Sequence, residues 1–279
     1  MGYRLLAMSI DGVLLKSNDR MSRETKEAVD FVRNKGVYTL LVTNRSFGAA
    51  KKAARHLKME HEMICHGGAL TAGQSGTPIL EAYMPAEMVY DATVCMEMYP
   101  CRIQLESQDY EWENKEPASK NMLGKIQFSL GEGLFQPKTY TDRVSAAAAE
   151  KQLSALRLFG HFESTRDAEH CRGLLEEKIP GIRVDQQENS LTIKKEEASK
   201  EHALTWLMSE LGIEPEEMIY IGSGTADISV LDMAEIGVAM GQSPDEVKQH
   251  ADWITRSNDQ NGLAYMVKEV FRKQMKVEV

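Results

Sequence analysis

Both ends of this chain alternate short apolar runs with amphipathic helical stretches, and that rhythm narrows the fold to a parallel sheet flanked by helices. Residues 3–9 (YRLLAMS) make a strand-length run that stops at the turn dipeptide Asp11-Gly12. Ser22 is placed to cap a helix carrying Ala28, Val29 and Val32 on one face, with Gly36 closing it. Residues 37–43 (VYTLLVT) are apolar enough for a strand buried on both faces. A helix over 49–57 and a short strand over 63–65 follow, before Gly67-Gly68. Strand, helix, strand, helix, strand implies right-handed crossovers.

The rhythm loosens from about residue 82 and resumes at about 190. Between them lie candidate strands at 102–105 and 125–130, candidate helices at 144–158 and 168–178, and a polar stretch from Gln108 to Lys120. Tyr110 and Trp112 read as apolar anchors of that stretch, and Met96 and Met98 as side chains that can line a partner surface. After 190 come a helix at 199–211, a strand at 218–222 (MIYIG), a short helix at 228–234, strands at 236–240 and 253–255, and a C-terminal helix. The expectation is therefore an α/β chain with one Rossmann-like core, built from residues 1–81 and 190–279. An α/β module, 82–189, is inserted in it.

Composition limits the partners. The 279 residues carry a formal charge of −9 with the acidic groups spread along the chain, and the isoelectric point is about 5.4. No basic patch points to nucleic acid, and no run approaches the ~20 apolar residues of a membrane span. Cys65, Cys95, Cys101 and Cys171 are scattered, as reduced thiols of a cytoplasmic protein would be. The couples Cys65-His66 and His170-Cys171 are too closely spaced for both residues of each to face one zinc ion.

In an open parallel sheet ligands bind outside the carboxyl ends of the strands. That places the chemistry at Ser9-Ile10-Asp11-Gly12, at Thr43-Asn44-Arg45, at Lys200, and at Gly222-Ser223-Gly224-Thr225-Ala226-Asp227. These four places, in this order and with this insert, resemble the haloacid dehalogenase superfamily, in particular its Cof-type phosphatases with a large α/β cap. The similarity extends to Cys65–Ala69 (CHGGA), Gly237–Gly241 (GVAMG) and the stretch from Ala251 to Ala264.

The resemblance implies a phosphatase fold acting on a phosphorylated small molecule, with Thr43, Asn44 and Lys200 as phosphate contacts and Asp11 as the acid/base. It also exposes departures. The family motif begins with a nucleophilic Asp, where this chain has Ser9. The family's magnesium-binding Asp of the last motif is Ser223 here, its Asn is Ala226, and only Asp227 remains, beside the metal position rather than on it. Hydroxyls are poor substitutes for carboxylates as Mg²⁺ ligands, so no metal cofactor is expected. Asp11, Asp227 and Lys200 leave a net −1, the charge the family site reaches with four carboxylates, a lysine and the dication. The expected function is a metal-free phosphoryl-ligand site or regulatory pseudophosphatase. An active phosphatase using Ser9 or Asp11, and an interaction protein that recruits a protein partner through the cap, are the alternatives. Arg45 is read as a loop charge or a ligand contact, and Asp227 as a helix cap or a partner for Lys200.

Overall fold

The computed structural model describes residues 2–114 and 138–276. The candidate strand at 125–130 lies outside the described residues. The chain divides into two compact units, Met1–Leu80 with Ser199–Val279, and Glu81–Ala198.

The first unit begins with β1 (Leu5–Met8), α1 (Arg23–Asn34), β2 (Tyr38–Val42), α2 (Phe47–His56), β3 (Met63–Cys65), β4 (Leu70–Ala72) and β5 (Pro78–Glu81). The second unit contributes α3 (Ala86–Met96), β6 (Cys101–Glu106), β7 (Glu111–Asn114), β8 (Lys138–Thr141), α4 (Val144–Lys151), β9 (Arg157–Phe162), α5 (Thr165–Lys178), β10 (Ile182–Gln187) and β11 (Ser190–Lys195). The chain returns to the first unit with α6 (Lys200–Leu211), β12 (Met218–Gly222), α7 (Ile228–Met233), β13 (Ile236–Ala239), α8 (Asp245–Gln249), β14 (Trp253–Ile254) and α9 (Gly262–Phe271).

The core sheet has the order β14-β13-β12-β1-β2-β3-β4-β5. It is parallel from β14 through β3, with β4 antiparallel to β3. β1 and β12 lie side by side at its centre although more than 200 residues separate them, because the two chain ends share one sheet. Leu5, Leu6, Ala7 and Met8 are fully buried, as a strand covered by helices on both faces must be. Ser22 accepts from the Thr25 N–H and starts α1, whose buried Thr25, Ala28, Val29 and Val32 follow the helical period.

The sheet of the second unit has the order β10-β11-β9-β6-β7-β8. One face carries Ile103, Leu105, Leu158, Phe162, Leu191 and Ile193, packed with residues of α3, α4 and α5 in a single apolar cluster. The opposite face is polar: Glu106 pairs with Arg157 at 2.6 Å, and Glu113 pairs with Arg102.

Several expectations change here. The helix expected over 144–158 stops at Lys151, where Gln152 adopts a left-handed conformation (φ 51°), and residues 157–162 form β9. Leu158, Gly160 and Phe162 alternate with Arg157, Phe159 and His161, a period-2 pattern that a helical reading of the alanine run overrides. Ser190–Lys195 pairs antiparallel with β10, so this strand belongs to the second unit, which runs to Ala198. Met96 is fully buried and packs in the apolar cluster, whereas Met98 is exposed. Tyr110 and Trp112 pack against the same cluster, and the Tyr110 hydroxyl donates to the Ser154 carbonyl at 2.6 Å. All four cysteines are buried, and burial pushes the Cys101 and Cys171 thiols up to about 12.

Candidate functional site

The sequence-predicted positions meet at the carboxyl ends of β1, β2 and β12, all within the first unit. Alternation along β1 puts Leu5, Ala7 and Ser9 on one face. Leu5 and Ala7 share an apolar cluster with Tyr38, Leu40, Tyr220 and with Ala203 and Leu204 of α6. Ser9 continues that face just past the strand, its N–H donating to the Ile221 carbonyl of β12 at 3.0 Å. Its hydroxyl therefore points toward the start of α6. That helix begins where Ser199 accepts from the His202 N–H, and Lys200 is its first residue. Gly68 (φ +96°) lets the loop after β3 lie against this helix start, since a Cβ there would sit 2.1 Å from the Ser199 carbonyl.

Asp227 is the hub. It is 3% exposed. Its Oδ1 accepts from Lys200 Nζ at 2.7 Å, from the Tyr220 hydroxyl at 2.7 Å and from the Ser9 hydroxyl at 2.8 Å. Its Oδ2 accepts from the N–H groups of Ser223 at 2.9 Å and Gly224 at 3.1 Å. Burial alone would raise the Asp227 carboxyl, but the Lys200 charge and these hydrogen bonds outweigh it and hold the group at about 2. Burial, with the neighbouring Asp227 charge, drives the Tyr220 hydroxyl well above the usual phenol range, so it remains a donor.

Asp11 faces a different way. Asp11 (φ −69°, ψ 132°) and Gly12 (φ 66°, ψ 0°) form the two central residues of a type II turn, which needs glycine at the second. The turn lifts the Asp11 carboxylate to the rim, where Arg45 grips it: Nε lies 2.9 and 3.0 Å from its two oxygens and an Nη lies 2.6 Å from one. The Asp11 side chain is 58% exposed and that of Arg45 19%. Ser223 donates its hydroxyl to the Asp11 backbone carbonyl at 2.8 Å, tying the two motif loops together. Gln242 supports the same turn by donating to the Gly12 carbonyl at 2.6 Å.

Thr43 is buried at the end of β2, and its hydroxyl oxygen accepts from the Arg45 N–H at 3.1 Å. Asn44 is exposed beside it. The structure thus brings Ser9 and Lys200 onto Asp227, joins Ser223 to Asp11 and Asp227 through backbone groups, and sets Asp11 on Arg45. Asp227 is the partner of Lys200, and its Oδ2 also caps the short helical turn over Thr225–Asp227 through the Gly224 N–H, although it makes no side-chain cap bond at the start of α7. Ser9 engages Asp227 and Val42, while the Asp11 carboxylate engages Arg45.

Sequence reasoning passed over Tyr220. The signal was present: a tyrosine among Ile and Gly in a doubly buried parallel strand must find a partner for its hydroxyl. Among the described residues, no group of three or more His, Cys, Asp or Glu side chains is arranged to hold a metal ion.

Comparison with known proteins identifies the family of this fold. Residues 6–267 match the model of the haloacid dehalogenase-like hydrolases. The stress response protein YhaX of Bacillus subtilis is 34% identical over 278 residues, covering 99% of this chain and 96% of its own length. Among solved structures, a haloacid dehalogenase-like hydrolase from Bacteroides thetaiotaomicron superposes with a TM-score of 0.81 at 21% identity, over 96% of this chain and 100% of that one. A subclass IIB sugar phosphatase of the same superfamily gives a TM-score of 0.76 at 22% identity, over 95% of this chain and 98% of that one. The chain belongs to the haloacid dehalogenase-like hydrolase family, as a Cof-type member.

Proposed function

We propose that this chain binds a phosphorylated small molecule at the carboxyl ends of β1, β2 and β12 without hydrolysing it through a phospho-enzyme. The observation that carries the reading is the Ser9 hydroxyl, 2.8 Å from Asp227 Oδ1. An attacking serine needs a base to take its proton. The acceptor in place is a carboxylate held at about 2 and bonded to Lys200 and Tyr220, which makes it a very weak base. The acid/base position, Asp11, is turned outward onto Arg45. A nucleophile and its base are therefore not assembled together.

Anion binding is what the remaining groups do well. Lys200 opens α6, Thr43 and Asn44 follow the end of β2, the resemblance makes these three the phosphate contacts, and Asp227 holds the Lys200 ammonium at 2.7 Å. The family membership and the sugar phosphatase among the structural neighbours support a phosphorylated metabolite as ligand. Buried thiols and the net charge of −9 support a cytoplasmic location with no nucleic-acid partner. No described helix is long and apolar enough to cross a membrane.

The test is turnover of p-nitrophenyl phosphate and sugar phosphates beside melting curves with inorganic phosphate. The expected result is a phosphate-dependent rise in melting temperature with no hydrolysis above the blank. Chelator-sensitive hydrolysis would instead establish an active phosphatase. Silence in both assays would favour a scaffold that works through its cap surface.

A further inference from the structure

The fold family pairs its phosphate site with Mg²⁺, which needs near-octahedral oxygen coordination at about 2.0–2.1 Å, including one or two carboxylates. The oxygens of this chain do not fit it. A carboxylate offers roughly four lone-pair positions, and Asp227 already accepts five donors, from Lys200, Tyr220, Ser9, Ser223 and Gly224. None of the three side-chain donors is placed to move aside readily: Ser9, Lys200 and Tyr220 are all under 10% exposed. Ser223 contributes a neutral hydroxyl that is spent on the Asp11 carbonyl. Both oxygens of the Asp11 carboxylate lie on Arg45. Two carboxylates thus face two side-chain cations, and a dication would find no unpaired carboxylate among these residues to balance it.

We infer that the Lys200 ammonium, fixed on Asp227 together with the Tyr220 hydroxyl, takes the place of the divalent cation, so that this site receives its phosphoryl ligand without metal. The inference deepens the phosphate-binding reading and rests on it for the position of the ligand. Tyr220 is the positioning residue. Its ring is fully buried in the apolar cluster, and its hydroxyl shares the Asp227 oxygen with Lys200 and so fixes where the ammonium sits.

The experiment uses the full chain and two readouts besides activity. Paramagnetic resonance of Mn²⁺ reports free cation directly, and melting curves with inorganic phosphate are run in EDTA and in magnesium chloride at equal ionic strength. The expected result is an unchanged free-Mn²⁺ signal and the same phosphate-induced shift in both buffers. One Mn²⁺ bound per chain, displaced by Mg²⁺ and lost in Asp227→Asn, would overturn the inference. So would a phosphate shift that appears only with magnesium. The two readings fail separately. Phosphate without effect in either buffer sinks the ligand proposal and leaves the Mn²⁺ result to judge the cation, whereas bound Mn²⁺ beside a phosphate response sinks the cation inference alone.

Discussion

Two ion pairs of nearly equal length sit at the ends of the central strands, and they do different things. Lys200 and Asp227 meet at 2.7 Å with side chains 7% and 4% exposed. Arg45 and Asp11 meet at 2.6 Å with side chains 19% and 58% exposed. The buried pair is enclosed by Ser9, Tyr220 and two backbone N–H groups, so its charges cannot be solvated if one partner leaves. The rim pair has water at hand. The lesson is that distance says little about an ion pair until the surroundings of both charges are known.

The largest expected effect breaks the buried pair. Lys200→Met leaves the Asp227 carboxylate buried without its counter-charge and should cost about 3–5 kcal/mol, read from the shift of the urea unfolding midpoint. A cost below about 1 kcal/mol would mean that the hydroxyls and N–H groups alone satisfy Asp227.

Next comes acid. The Asp227 carboxyl is lowered from 3.8 to about 2 on folding. A group lowered in this way stabilises the fold above its unfolded value, and that gain disappears as pH falls through the folded value. Stability measured by denaturant should therefore lose about 2 kcal/mol from this group between roughly pH 5 and pH 2. In Asp227→Asn that part of the acid dependence should vanish. If the variant and parent curves stay parallel through this window, another carboxylate governs the acid limb.

The smallest effect belongs to the rim. Arg45→Ala should change stability by less than about 1 kcal/mol, because solvent screens the exposed Asp11 carboxylate. A double-mutant cycle with Asp11→Ala would sharpen the contrast. A coupling as large as that of the buried pair would remove the distinction between the buried pair and the rim pair.

Much of the core was legible in order along the chain. The runs over 37–43 and 218–222 appear as β2 and β12 within a residue at either end, since buried parallel strands leave continuous apolar stretches. The motif residues Ser9, Lys200 and Asp227 were legible as neighbours through the family resemblance, and the structure places them within 2.8 Å of one another's hub. The second unit was less legible. β9 was hidden behind the alanine-rich α4, and the hairpin of β10 and β11 carries mixed polar residues on strands that are covered on one side only. Antiparallel strands of this kind have weak local signals, and their partners lie far away in sequence.

Sequence alone determined that two chain ends share a parallel sheet and that hydroxyls stand at two positions where the family has carboxylates. Those are properties of residue type and order. Only the tertiary structure decided where each charge is spent. Asp227 turns to Lys200 and Tyr220 because strand alternation and the start of α6 bring them to one buried point, and Asp11 turns to Arg45 because a type II turn carries it out to water.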